Sequence, residues 1–350
     1  MPKEHGPGMF GRREDVEGAH AREELIHAAG EGLNAHREAL LRSTKELSAE
    51  ESRQFDEAEG IVDAFVFRHF AEHIPKIQKP LVRTSGDMNA SILMNEFIAL
   101  PRIGEHGDGP NIAFIHAAVH EILHFYSARR LYAGKENIVS QVGLSTTAVG
   151  KTPRLLFEGL NEALISSLQH RLVYAYATAD DSEVPEEVKR RIKNQHERSL
   201  ERARNEEDPM LRLVDQEVYP VVSAEGGVYV STSYMSERVL LRFLLERAAD
   251  ASEIPHETLQ EQFDRVTLYG WDDESKRVII GVVGPDIWRA LAWMRVGECR
   301  LDGPLTSDYR GLLHAIVTDE WYEADQIARE IMAAKRQDTA FYDVASGDVL

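Results

Sequence analysis

The chain has 350 residues, enough to bury a sizeable core without disulfide or metal staples. With 43% hydrophobic and 28% charged residues it reads as a soluble globular protein, and no run approaches the ~20 apolar residues that span a bilayer, so no membrane partner is expected. A single cysteine, Cys299, excludes a disulfide framework and a cysteine-rich zinc site. The formal net charge of -19 repels nucleic-acid backbones, so no nucleic-acid partner is expected either.

The opening segment, MPKEHGPGMFGRREDVEGAH, has no apolar run for a secretory signal, and the expectation is a cytoplasmic location. Residues 1–75 form an N-terminal region with a helical pattern, in which Leu25, Ile26, Ala29, Leu33, Leu40 and Leu41 recur at helical spacing. Ser48–Glu51 reads as a capping box that opens a further helix. Pro75 and Pro80 end the pattern, and the stretch from Leu81 to Arg102 looks strand-like. The turn-rich GEHGDGPN precedes an apolar helix expected from Ile112 to about Leu131, and a second long helix is expected from about Pro153 to Ala177. The mixed charges of Asp180–Glu207 fit a solvated helix. A third buried helix is expected from about Ser233 to Ala249, closing a core of residues 76–250. Residues 251–350 then read as a mainly helical subdomain, with an apolar stretch RVIIGVVGP and a helix around Glu320–Lys335. The predicted class is α+β, mostly helical, with a small sheet before the first buried helix.

That first buried helix contains His120-Glu121-Ile122-Leu123-His124. Histidines at i and i+4 share one helix face, so both imidazoles can reach one tetrahedral zinc ion. Glu121 lies beside them, placed to take a proton from a metal-bound water. The flanks IAFIHAAV and FYS are apolar, a setting in which two histidines and a glutamate are costly unless paired or ligated. The bland alternative is a pair of satisfied core histidines. His116 extends the row by one turn, and as a fourth ligand it would close the site and make it structural.

The next buried helix carries EGLNEALIS, Glu158 to Ser166. With this segment the chain resembles the gluzincins, the zinc peptidases that include thermolysin-like proteases and the large zinc aminopeptidases. The resemblance covers roughly Ala90 to Ala249. It implies a gluzincin-like core with Zn2+ held by His120, His124 and Glu162, Glu121 as general base, and a peptide or protein as substrate. Glu158, one turn before Glu162, is the competing carboxylate. An inserted loop at Tyr132–Lys151 is expected, because the interval from His124 to Glu162 is long for the family. The family's oxyanion donor has two matches in GGVYVSTSYMSERVLLRFLL: Tyr234, at the head of an apolar helix, and Tyr229, after Gly-Gly-Val. Tyr234 is favoured.

Two departures stand out. Ser166 occupies the position where thermolysin-like enzymes place an aspartate that orients a ligand histidine, so that support must come from elsewhere. In place of the aminopeptidase GxMEN strand the chain has LMNEF, where Glu96 is more simply a solvent-facing strand residue. The edge strand offered to an extended substrate is expected at Met94–Leu100. An inactive gluzincin-fold binding module and a protease delivered into another cell are the competing functional readings. Oligomeric state is not legible.

Overall fold

The structure, a computed structural model, describes residues 8–9, 44–74, 81–83, 91–93, 97–101, 111–127, 129–133, 138–149, 154–222, 227–252, 254–269, 273–298 and 308–336. The described residues are mostly helical with small sheets, an α+β arrangement. The predicted helical turns of Leu25 to Leu41 lie outside them, as do Glu96 and His106.

Helix α1 (Ala49–Phe70) opens on the expected capping box, with Ser48 and Glu51 each bonding the other's backbone N–H. It ends at Ala71, which turns left-handed at φ 55°. Helix α2 (Ile112–Tyr126) starts from Asn111, whose side chain accepts from the Phe114 N–H at 3.1 Å. The backbone N–H of Asn111 in turn donates to Gln54 Oε1, pinning the start of α2 to α1. Phe55, Val62 and Val66 of α1 share one buried cluster with Phe114, Ile115, Ile122 and Leu123 of α2.

The helix stops five residues short of the expected Leu131. Ser127 Oγ bonds back to the Leu123 carbonyl at 2.8 Å and the backbone turns extended, so Leu131 falls in a strand. The interval expected as a loop, Tyr132–Lys151, is instead an antiparallel meander: β6 (Arg129–Ala133), β7 (Ile138–Val142), β8 (Ser145–Val149) and β9 (Arg154–Leu156). Alternating TTAV and IVSQV sequences with β-branched residues favour strands over loop. The short segment β1 (Gly8–Met9) pairs in parallel with β6.

A second sheet has the order β2 (Thr44–Glu46), β3 (Leu81–Arg83), β5 (Phe97–Pro101), β4 (Ser91–Leu93). The strand expected at the edge, within Met94–Leu100, is therefore interior where it is described: Phe97–Pro101 pairs with β3 on one side and β4 on the other. Among the described residues the outermost strand beside it is β4, Ser91–Leu93, which packs against α2.

Helix α3 (Glu158–Thr178) is buried on nearly every side and is the central pillar. Phe157, at φ 59°, gives no side-chain cap. Two N–H groups at this entry, those of Phe157 and Gly159, donate instead to the carbonyls of Ala292 and Met294. A Cβ on Gly159 would meet Met294 Cε at 2.7 Å, which explains glycine there. The charged run forms α4 (Glu186–Asn205) and is followed by α5 (Pro209–Gln216). The hairpin β10 (Pro220–Val222) and β11 (Val228–Val230) leads to α6 (Met235–Ser252). Beyond lie α7 (His256–Tyr269), α8 (Asp273–Val283), which contains most of the RVIIGVVGP stretch, α9 (Pro285–Ala292), α10 (Asp308–Val317) and α11 (Trp321–Arg336). Their apolar faces form one cluster with α6 and the first turns of α3. Among the described residues no helix is long and apolar enough to cross a membrane.

Candidate metal centre

Helices α2 and α3 pack side by side, and α3 packs on α6, so three elements converge on one point. His120 and His124 project from α2 and Glu162 from α3. Their potential ligand atoms form a tight triangle. The two Nε2 atoms are 3.1 Å apart, His124 Nε2 lies 3.2 Å from both Glu162 oxygens, and His120 Nε2 lies 3.4 Å from Glu162 Oε2. An ion with four tetrahedral bonds of about 2.0–2.1 Å holds its ligands roughly 3.3–3.4 Å apart. The triangle thus has the dimensions of one face of such a tetrahedron, with the opposite vertex free. The three side chains are 12%, 17% and 16% exposed, shielded but reachable.

Hydrogen bonding fixes which nitrogen of His120 is available. Gln169 Nε2 lies 2.7 Å from the His116 carbonyl, which can only accept, so the amide nitrogen must face it. Gln169 Oε1 then faces His120 Nδ1 at 3.0 Å and requires a proton there. The remaining nitrogen, Nε2, points into the triangle and is the one whose lone pair a metal would take once its proton is displaced. Gln169 therefore does for His120 what an outer carboxylate does at many zinc sites. It stands two turns after Glu162 on the same face of α3, while Ser166 is occupied with His170. The only mark of Gln169 in the sequence is a polar residue at heptad spacing from the ligand in an apolar helix.

In the metal-free chain the triangle is an ion pair. Burial pulls the His120 pKa down, but the hydrogen bond and charge of Glu162, the charge of Glu121 and the Gln169 bond outweigh it and raise it to about 9. Burial likewise pushes Glu162 up, and the charges and hydrogen bonds of His124 and His120 overcome this and hold it well below the usual carboxylate range.

Glu121 is buried, and its charge acts on both His120 and Tyr234. Tyr234 stacks on His120, with ring centroids 5.8 Å apart. Burial, the charges of Glu162, Glu121 and Glu237, and a hydrogen bond to Glu162 raise its pKa, so the phenol stays a neutral donor. Its backbone is left-handed at φ 54°. Tyr229 lies on β11 and is 44% exposed. Glu158 is not part of the metal-sized cluster, and neither is His116, which accepts a hydrogen bond from Gln169 through Nδ1.

Asn161, next to Glu162, is buried and accepts from the Leu144 and Ser145 N–H groups at the β7–β8 turn. Gly143 in that turn has φ 57°, and a Cβ there would meet Asn161 Oδ1 at 2.7 Å. The Asn-Glu pair thus divides its work: the asparagine docks the meander and the glutamate faces the histidines. Comparison with family models, curated proteins and solved structures finds no match for the chain.

Proposed function

We propose that the chain is a zinc-dependent peptidase with a gluzincin-like core. The observation that carries this reading is the His120–His124–Glu162 triangle, whose edges of 3.1 to 3.4 Å suit tetrahedral zinc with one position free. The donor set, two imidazoles and a carboxylate, is one zinc accepts. Bound there, zinc would acidify a water and polarise a carbonyl.

The protein's own groups supply the rest. Glu121 takes the proton from the attacking water and delivers it to the leaving amine. The Tyr234 hydroxyl donates to the oxygen on which negative charge develops. Gln169 keeps the His120 proton on Nδ1 and its ring in place. Among the described residues, the outer side of β4 beside α2 is the strand edge available to an extended peptide.

The test is metal analysis of the reconstituted protein together with cleavage of a peptide library by wild type and Glu121→Gln. One zinc per chain and cleavage lost in the variant support the reading. Zinc bound with no cleavage by wild type would make the chain a binding module, and absence of stoichiometric zinc would overturn the proposal.

A further inference from the structure

Next to the metal triangle lies a second polar cluster that the proposed reaction does not use. It comprises His116 on α2, His170 on α3, Arg238 on α6 and Glu217 at the end of α5. His170, Arg238 and Glu217 are 2%, 0% and 3% exposed. The rings of His116 and His170 meet edge to face with centroids 4.7 Å apart. Arg238 Nη1 lies 3.6 Å from Glu217 Oε2, too far for a hydrogen bond. Four buried atoms in this cluster have no hydrogen-bond partner among the described residues: His116 Nε2, His170 Nε2, Arg238 Nε and Glu217 Oε2.

Their roles follow from the other bonds these groups make. Gln169 Nε2 donates to His116 Nδ1 at 2.9 Å, so a neutral His116 carries its proton on Nε2. His170 Nδ1 lies 2.7 Å from the Ser166 carbonyl and must donate to it, so its Nε2 is an acceptor. Burial, with the nearby charges of Arg238 and the neighbouring histidines, keeps both rings neutral. Arg238 donates through Nη1 to the Glu217 carbonyl and through Nη2 to the Ser231 carbonyl, leaving Nε–H as a donor. Glu217 accepts from Arg242 through Oε1, leaving Oε2 as an acceptor. The set is two donors and two acceptors. An anion would face the His170 lone pair and the Glu217 carboxylate. A cation would face two N–H groups. A water molecule offers two of each.

We infer that His116, His170, Arg238 and Glu217 enclose an internal hydration site, in which ordered water accepts from His116 Nε2 and Arg238 Nε and donates to His170 Nε2 and Glu217 Oε2. This water ends the run His120–Gln169–His116 on a fixed partner. It thereby holds the His116 tautomer that accepts from Gln169, which adds to the His116 carbonyl in fixing the amide and, through it, the tautomer of His120. Arg238 extends the same network to Ser231, three residues before Tyr234.

The water site itself does not depend on zinc; only its effect on His120 rests on the peptidase reading. A crystal structure of the metal-free full chain, at a resolution that shows ordered water, tests it. The expected result is a density peak about 2.7–3.2 Å from both His116 Nε2 and His170 Nε2. A His116 N–H seated directly on the His170 ring with no density between them would overturn it, as would a direct Arg238 Nε–Glu217 Oε2 bond. Nitrogen NMR of the histidines is a second measurement: His116 should be the Nε2–H tautomer and His170 the Nδ1–H tautomer, and the reverse for either overturns the site. In His170→Phe, which keeps the ring but removes the acceptor, zinc affinity should fall about tenfold, at the low end for lost outer-shell support. Unchanged zinc affinity with the peak gone would refute the coupling alone. Density present in a chain that binds no zinc would refute the peptidase reading alone.

Discussion

The rings of His120 and Tyr234 lie parallel within 1°, with centroids 5.8 Å apart. This contact places the phenol at the head of α6 over a potential metal ligand. Tyr234 also has a left-handed backbone at φ 54°, a conformation that costs a non-glycine residue roughly 1–2 kcal/mol. Backbone strain held at one residue of a polar cluster is a common mark of a functional position.

Tyr234→Phe keeps the stacked ring and loses only the hydroxyl. If that hydroxyl donates to the developing oxyanion, kcat should fall by roughly 10²-fold with little change in KM. Tyr229→Phe, on an exposed strand position, should leave both within twofold. Steady-state kinetics of the two variants on one peptide decides it. A large kcat loss confined to Tyr229→Phe would reverse the assignment.

Glu162→Ala should weaken zinc binding by more than the roughly 10–100-fold seen for outer-shell changes, because it removes one corner of the triangle. Glu158→Gln should leave zinc affinity nearly unchanged, since Glu158 lies outside the metal-sized cluster. Competition with a chromophoric chelator measures both. Equal losses would mean that Glu158 shares the metal.

Gln169→Leu removes both the acceptor for His120 and the donor to His116 while keeping much of the volume. Zinc affinity should drop about 10–100-fold. Gln169→Glu keeps the acceptor and should recover most of that loss at the His120 side. If Glu and Leu are equally damaging, the amide acts through packing alone.

Protons and zinc compete for His120 Nε2. The folded value of about 9 lies above the ordinary 6.5. The stabilisation His120 gains from its ion pair is therefore complete below 6.5 and disappears as pH rises through about 9. Glu162 is shifted the other way, so its share is present above its ordinary value of 4.5 and lost as pH falls. Around neutral pH the metal-free triangle is thus protonated, and zinc must displace that proton. Calorimetry in buffers of differing ionisation enthalpy should find about one proton released per zinc at pH 7. Apparent affinity should weaken by about tenfold per pH unit on acidification. Binding without proton release would show that His120 is not a ligand.

What could be read from the sequence follows the range of the contacts involved. His120, Glu121 and His124 share one helical turn, so their spacing alone sets their relative placement. The Ser48–Glu51 box is equally local and forms as expected. Glu162 came from a resemblance, and its meeting with the histidines depends on how α3 packs on α2. Gln169 was not legible, because its role depends on a carbonyl 53 residues away. The strand at Phe97–Pro101 was recognised as extended, but its interior place depends on pairing with β3 and β4, which local pattern does not specify. The meander is not legible as such, because a long interval between expected ligands reads as an inserted loop even where β-branched residues alternate.

That meander bears on the order in which the chain folds. His124 and Glu162 are 38 residues apart, and bringing them together from a disordered chain means closing a loop of that length. The intervening strands pair with sequence neighbours, so β7 and β8 can zip early and shorten the effective loop before the helices meet. Asn161, which accepts from the Leu144 N–H, is the neighbour of Glu162, so the hairpin turn and the ligand carboxylate are tied to the same turn of α3. The triangle thus leans on a hairpin that contains none of its ligands, and a lesion in that hairpin is expected to slow the capture of metal while leaving every ligand intact.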